Sequence, residues 1–181
     1  MSDVLLPFFP LCAHVVPNGV DMSLFQRKPH EGQITTLGWC GCLNTRWKLS
    51  DRAFEIARKS RLPLSTAETL SLDDLKIWYH SIDVLLVTSG PRLHDETGPL
   101  PPFEAIASGV VVIGTNVGNF SKVPGPKFST PEEAALILAD FKKDPERVKR
   151  LAEEQYNWVA ENWTYRTHAL AWKKMFEAAM A

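Results

Sequence analysis

Residues 83–118 read DVLLVTSGPRLHDETGPLPPFEAIASGVVVIGTNVG. The two ends, DVLLVTS and VVVIGTNVG, are apolar, β-branched runs without alternation, the pattern of strands buried on both faces. Between them PPFEAIAS opens with two prolines and closes at Gly109, the order that starts and stops a short helix. Strand, loop, helix and strand in that order predict a right-handed crossover between parallel strands. In open parallel sheets ligands bind beyond the carboxyl ends of the strands, which here is the loop at residues 94–102. Glu96 is expected at the strand end and Glu104 in the first turn of the helix, with seven residues between them and Thr97-Gly98-Pro99 after the first. A helix amino terminus presents unpaired N–H groups and partial positive charge to a diphosphate. Carboxylates beside it accept hydrogen bonds from sugar or ribose hydroxyls. Either glutamate alone is better explained as a complement to the helix dipole. The pair, spaced around a glycine-containing loop, favours binding.

Composition bounds the rest. A chain of 181 residues, 45% hydrophobic and 23% charged, is expected to form one globular domain with an ordinary core. A net charge of −1 without a basic excess argues against a nucleic-acid partner. The apolar run at residues 4–12 is too short to cross a bilayer and is broken by Pro7 and Pro10. Asp3 stands where a signal peptide would be basic, so none is expected. Cys12, Cys40 and Cys42 form an odd set without four-ligand spacing, which fits a reducing cytoplasm. Cys40 and Cys42 are expected as buried thiols. The histidines lack paired metal spacing, and His94, the one near the candidate loop, reads as a surface residue. No metal site is expected.

Elsewhere the chain alternates strand and helix. Residues 34–41 (ITTLGWCG) read as a strand, residues 50–60 as a helix with Phe54, Ile56 and Ala57 inward, and residues 62–67 as a short strand. Ser71 with Asp74 three residues on opens a helix to about residue 81, with Leu75, Trp78 and Tyr79 on one face. Thr130-Pro131-Glu132-Glu133 opens another, to about residue 142. Residues 145–162 follow with Val148, Leu151, Ala152, Gln155 and Val159 in one stripe. A last helix carries Ala169, Trp172, Phe176 and Ala179, at a spacing that reads as core.

These residues carry a resemblance. The retaining GT-B glycosyltransferases of the large family 4 (glycosyl transferases group 1) show an Asp-Val strand, then Glu-Gly-Phe-Gly, an apolar pair, Glu-Ala in a small-residue helix, Gly-x-Pro-Val-Val and a Gly. Here the matching positions are Asp83-Val84, Glu96-Thr97-Gly98-Pro99, Phe103-Glu104-Ala105, Ser108-Gly109-Val110-Val111-Val112 and Gly118. Pro17-Asn18-Gly19-Val20-Asp21, with Phe25 beyond, resembles the opening of that family's second, donor-binding domain. Gly41-Cys42-Leu43 and Lys48 resemble its Gly-Arg-Leu and following lysine, which clamp the donor diphosphate, with Cys42 in the arginine's place. Pro99 replaces a glycine and has no N–H to donate.

The resemblance implies an α/β, Rossmann-like three-layer domain with a mainly parallel sheet and a helical carboxyl-terminal tail, one half of a GT-B fold. Residues 1–16 would be a residual inter-domain segment and 17–181 the nucleotide-sugar donor-binding domain. It implies Glu96 as the catalytic residue, orienting the donor sugar and stabilising charge at its anomeric carbon. Lys48, Arg46, Thr97, Gly98 and Leu100 would hold the diphosphate loop, and Glu104 the ribose. Base contacts are expected from residues 67–72. The donor is a nucleotide diphosphate sugar, with neither metal nor cofactor. The acceptor-binding domain is either missing from this chain or supplied by a partner chain, and membrane association of the full protein stays open. The last helix of that family crosses back onto the first domain, so part of its face could be bare. The competing reading is a non-catalytic binding module, either a degenerate relic or one subunit of a split transferase. A receiver or flavodoxin-like domain fits the alternation, but it explains neither the Pro-Asn-Gly-Val-Asp opening nor the two glutamates.

Overall fold

The structure, a computed structural model, describes residue 16, residues 18–90 and residues 98–180. In chain order the elements are β1 (Leu37–Cys40), α1 (Ser50–Ser60), β2 (Leu64–Ala67), α2 (Leu72–Tyr79), β3 (Val84–Val87), α3 (Pro101–Ala107), β4 (Val111–Gly114), α4 (Pro131–Lys143), α5 (Pro145–Asn162) and α6 (Tyr165–Met180). The four strands form one parallel sheet in the order β2-β1-β3-β4. The chain therefore runs outward from β1 to β2, then returns to build on β1's other side. This reversal makes a switch point between β1 and β3, the place where such sheets open a crevice.

Every residue of β3 and β4 is buried, as their unbroken apolar runs require. Side chains leave the strands on alternate faces. Leu85, Val87 and Val112 join α2, α3, Val20 and Phe25 on one side, while Val84, Leu86, Val111 and Ile113 join α1 and α4 on the other. The result is three layers, helix–sheet–helix. α5 serves both cores: Val148, Leu151 and Ala152 pack into the second and Val159 into the first. Between them Gln155, 0% exposed, closes the outer edge of β4. Its Oε1 accepts from Val112 N at 2.9 Å, and its Nε2 donates to Val112 O at 2.8 Å and Pro124 O at 2.9 Å. A side-chain amide thus supplies what a fifth strand would.

The expected caps are present. Ser71 accepts from Asp74 N and Thr130 from Glu133 N, each at 3.2 Å. α3 ends at Gly109, whose φ of +93° and close approach to the Lys28 carbonyl exclude a side chain: a Cβ there would lie 2.0 Å from that oxygen. The lead-in segment is tied to the α5–α6 joint, since Val20 N donates to Trp163 O at 2.8 Å and Tyr165 N to Val20 O at 3.2 Å.

Three expectations are corrected. The first two strands are shorter than residues 34–41 and 62–67, because only four residues of each meet a neighbour in the sheet. Phe54 does not point inward: it is 51% exposed, and Ala53 takes its place beside Ile56 and Ala57. Ala169, Trp172, Phe176 and Ala179 are exposed, and α6 buries no residue. Trp172 and Phe176 stack on each other at 5.6 Å rather than on a core. Helical spacing fixes which face is apolar and leaves open what covers it. Among the described residues no helix is long and apolar enough to cross a membrane.

Candidate functional site

The residues around the switch point are held from below by the strands. Trp39 of β1 donates its Nε1–H to Thr88 Oγ1 at 2.9 Å, and Thr88, just past β3, donates that hydroxyl to Lys48 O at 2.7 Å. Gly90 N donates to Trp47 O at 2.7 Å. The short 3-10 turn Arg46–Lys48 is therefore pinned across the carboxyl ends of both strands. Leu49 follows in the left-handed region at φ 47°, ψ 54°, which is costly for a residue with a Cβ, and this turn swings the chain into α1. Lys48 lines a narrow cleft with Trp39, Cys40, Pro99, Pro101 and Pro102.

Glu104 enters from the other side of the switch point, in the first turn of α3. It is half-buried, and its Oε2 accepts from the Tyr79 hydroxyl at 2.8 Å; that hydroxyl also lies 3.3 Å from Pro101 O. Burial pushes the Glu104 carboxyl above its usual range, and the Tyr79 hydrogen bond pulls part of the way back. Cys40 feels both sides of the cleft. Burial and then the Glu104 charge push its thiol up to about 11, against the pull of the Lys48 ammonium. Lys48 and Glu104, 56 residues apart in sequence, thus bear on one thiol at the end of β1.

The other candidates divide. Gly98 is half-buried, with the side-chain amide nitrogens of Asn119 and Asn18 3.7 and 3.9 Å from where its Cβ would stand. Leu100 is exposed. The start of α3 offers fewer N–H groups than the sequence suggests. Pro101 and Pro102 have none, and those of Phe103 and Glu104 both donate to Leu100 O, at 2.9 and 3.1 Å. Among the described residues, the N–H groups of Gly98 and Leu100 donate to no backbone carbonyl. Arg46 is exposed on the turn above Lys48 and does not line the cleft. Glu96, Thr97 and His94 lie outside the described residues. Cys42 is exposed and Cys40 partly so, which corrects the expectation of two buried thiols: the chain turns outward at Gly41. Among the described residues no group of three His, Cys, Asp or Glu side chains could hold a metal.

The loop expected to meet a base is joined to the same rim: Glu68 Oε1 accepts from Leu43 N at 2.9 Å, spanning the ends of β1 and β2. Sequence reading missed the supports of the site. Tyr79 looked like one of three apolar residues on α2, and Thr88 like the end of a strand. Only a buried hydroxyl without an obvious partner could have signalled either.

A second cleft opens at the amino ends of the strands, beside Lys28, His30, Glu31, Asp83 and Gly109. Asp83 and His30 are engaged there by their own chain. Asp83 Oδ2 accepts from Thr35 N at 2.7 Å, Thr35 Oγ1 at 2.8 Å and Thr36 N at 2.9 Å, and His30 Nε2 lies 3.0 Å from Asp83 O.

The family model described as glycosyl transferases group 1 matches residues 40–158. The MMP alpha-(1->4)-mannosyltransferase of Mycolicibacterium hassiacum is 26% identical over 220 residues, covering 99% of this chain and 52% of the relative. The chain thus spans about half the length of that curated relative. A 1.35 Å crystal structure of the C-terminal domain of a glycosyl transferase group 1 family protein (LpcC) from Francisella tularensis matches with a TM-score of 0.63 at 16% identity, over 81% of this chain and 100% of that one. Sucrose-phosphate synthase of Thermosynechococcus elongatus matches at 0.71 and 15% identity, over 99% and 57%. Anabaena Alr3699/HepE, in complex with UDP and glucose, matches at 0.69 and 14%, over 92% and 56%. At these identities the structural matches carry the fold alone, that of a GT-B Rossmann-like domain.

Proposed function

The chain belongs to the glycosyl transferases group 1 family, and we propose that it is the donor-binding half of a retaining member, holding a nucleotide diphosphate sugar for transfer to an acceptor. One observation carries the reading: Lys48, lining the cleft at the carboxyl ends of β1 and β3, and Glu104, in the first turn of α3, stand on opposite sides of the switch point, and both charges act on the Cys40 thiol at the end of β1. A cation and an under-satisfied carboxylate at that crevice match the two ends of a nucleoside diphosphate. The Lys48 ammonium and the N–H groups of Gly98 and Leu100 offset the charge of the leaving diphosphate, in place of a metal. Glu104 accepts the ribose hydroxyls. Glu96 orients the sugar and stabilises positive charge developing at its anomeric carbon, with retention. Thr97 completes the loop, and Arg46, exposed outside the cleft, would have to swing in from its turn to reach the phosphates. The free thiols of Cys40 and Cys42 fit a reducing cytoplasm as the setting.

Acceptor binding lies outside this half. Holding an acceptor hydroxyl at reacting distance accounts for about 7–11 kcal/mol of barrier lowering, and we assign that task to a further domain or a partner chain. This chain alone should transfer no sugar at an ordinary enzymatic rate. Cys42 in the arginine's place and Pro99 in a glycine's favour a second reading, in which the domain binds without catalysing. Activity on adding a second polypeptide would decide for the split enzyme.

Amide NMR mapping tests the site. UDP, the nucleotide bound by the Anabaena relative, and GDP should shift the amides of Gly41, Lys48, Gly98, Leu100 and Glu104. Shifts confined to Lys28, His30, Ser108 and Gly109, at the opposite end of the sheet, would overturn the assignment.

A further inference from the structure

We infer that Tyr79 is a positioning residue for Glu104, holding its carboxylate ionised and turned so that one oxygen stays available to a ribose hydroxyl; the inference rests on the donor-site reading above. Tyr79 is 0% exposed, and its ring is fixed by Phe25 (centroids 5.9 Å, edge-on) and Trp78 (5.3 Å, tilted). The position of its hydroxyl is therefore set by α2 and the core, independently of any ligand. That hydroxyl has a single proton, and its short contact is with Glu104 Oε2 at 2.8 Å, against 3.3 Å to Pro101 O. A hydrogen bond donated to a carboxylate is stronger than one donated to a neutral carbonyl, so the proton belongs to Glu104.

Two consequences follow from that one bond. The first is orientation. A carboxylate has about four lone-pair sites on two oxygens. Tyr79 takes one on Oε2, and Oε1 accepts no hydrogen bond among the described residues. A ribose presents neighbouring hydroxyls, and a carboxylate locked through one oxygen meets them without the cost of ordering a free side chain. The second is charge. Half-burial favours the neutral acid, which would present a proton to the ribose where an acceptor is needed; the Tyr79 hydrogen bond opposes this. The groups whose charge or proton bears on this pair are the Cys40 thiol of β1 and, acting on that thiol, the Lys48 ammonium. Burial, reinforced by the Glu104 charge, keeps the phenol itself protonated well past neutrality, so it remains a donor wherever the carboxylate is charged.

The bland role for Tyr79 is to fill the core, and Tyr79→Phe separates the two by removing the hydroxyl and keeping the ring. In the nucleotide-free chain with 13C-labelled glutamate carboxyls, the Glu104 titration midpoint should move up in Tyr79→Phe; an unchanged midpoint overturns the inference. By calorimetry near pH 7, Tyr79→Phe should weaken whichever of UDP and GDP binds more tightly by about fivefold to tenfold, leave its 2′,3′-dideoxy counterpart nearly unchanged, and weaken the former further as pH falls. An equal loss for both members of the pair means a core-filling role and overturns it. In a Glu104→Gln background Tyr79→Phe should cost no more than about twofold, whereas a full loss there also overturns it. A measurement free of substitution guards against a variant that fails to fold: the ring 13Cζ resonance of Tyr79 in the wild-type chain should follow the titration of Glu104, and a resonance blind to it counts against the inference. Failure of the underlying reading looks different. If the midpoint moves but the wild-type chain does not distinguish ribose from dideoxyribose, the ribose role of Glu104 is overturned and the inference falls with it.

Discussion

Asp83 and Glu104 stand at opposite ends of one strand–helix unit and are treated in opposite ways. Asp83, at the amino end of β3, has one oxygen accepting from two backbone amides and a hydroxyl, all within 2.9 Å. Glu104, beyond the carboxyl end, has a single donor among the described residues, Tyr79, and is half-buried enough that its charged form is disfavoured. A carboxylate with one oxygen taking three donors from its own chain is a strut for the loop that supplies them. One that is desolvated and left short of donors is held in a state that a ligand's hydroxyls can improve. Each end of the sheet has a cleft, and this difference, more than their shapes, is why we propose the carboxyl end as the binding end.

The largest effect should come from the filled class. Gln155→Met keeps the volume but leaves the N–H and C=O of Val112 without partners in the core, and denaturant unfolding should show a loss of about 3 kcal/mol with nucleotide affinity unchanged. Lys48→Ala should do the reverse, costing about tenfold or more in UDP or GDP affinity, roughly 1.5–3 kcal/mol, with little change in stability. Asp83→Ala should lose about 1–2 kcal/mol of stability, less than Gln155→Met because its donors are partly in water, and should leave nucleotide affinity unchanged. A loss of affinity in that variant would break the contrast between the two ends.

A pH series sharpens the contrast further. Because burial raises Glu104 above its ordinary 4.5, its contribution to stability is complete below that pH and is lost as pH rises through the folded value. Glu104→Gln stays neutral throughout. Its stability relative to the wild-type chain should therefore grow from pH 4.5 toward neutrality, read as the gap between thermal midpoints; a gap that narrows over that range would contradict the burial argument. The smallest effect concerns two left-handed residues at the ends of α1, Leu49 at φ 47° and Arg61 at φ 53°. Arg61→Gly, at an exposed helix end, should stabilise by about 0.5–1 kcal/mol. Leu49→Gly should gain no more than that and should weaken nucleotide binding, because it loosens the turn that presents Lys48.

Much of this fold was legible because local chemistry and tertiary position agree. Pro145 and Asn162 bound α5 as its proline start and apolar stripe require, and all five stripe residues are buried. The uninterrupted apolar runs around Asp83 and Val111 could only be central strands. The misreadings came where a pattern fixes a face without naming its neighbour. Phe54 and Ala53 are adjacent on α1, and the larger side chain faces water because the helix packs closely on α4. Trp172 and Phe176 have core spacing but no core above them among the described residues. The placement of Glu104 and Lys48 at the carboxyl end was legible, since a helix start and a post-strand loop fall there in any parallel sheet. Tyr79 was not, because a tyrosine on an apolar face shows its ring in the sequence and its hydroxyl's partner only in three dimensions. The Trp39–Thr88–Lys48 chain was hidden for the same reason: it joins residues up to 49 positions apart through side chains.

The most direct test of the central claim is a calorimetric titration of the wild-type chain with UDP and GDP, each beside its 2′,3′-dideoxyribose analogue. The site as built predicts that the better-bound nucleotide loses about tenfold in affinity when its ribose hydroxyls are removed, the cost of leaving the Glu104 carboxylate without its partners, on the order of 1–3 kcal/mol. Equal affinity for both members of the pair would contradict the assignment of the carboxyl end of this sheet as a nucleotide-sugar donor site.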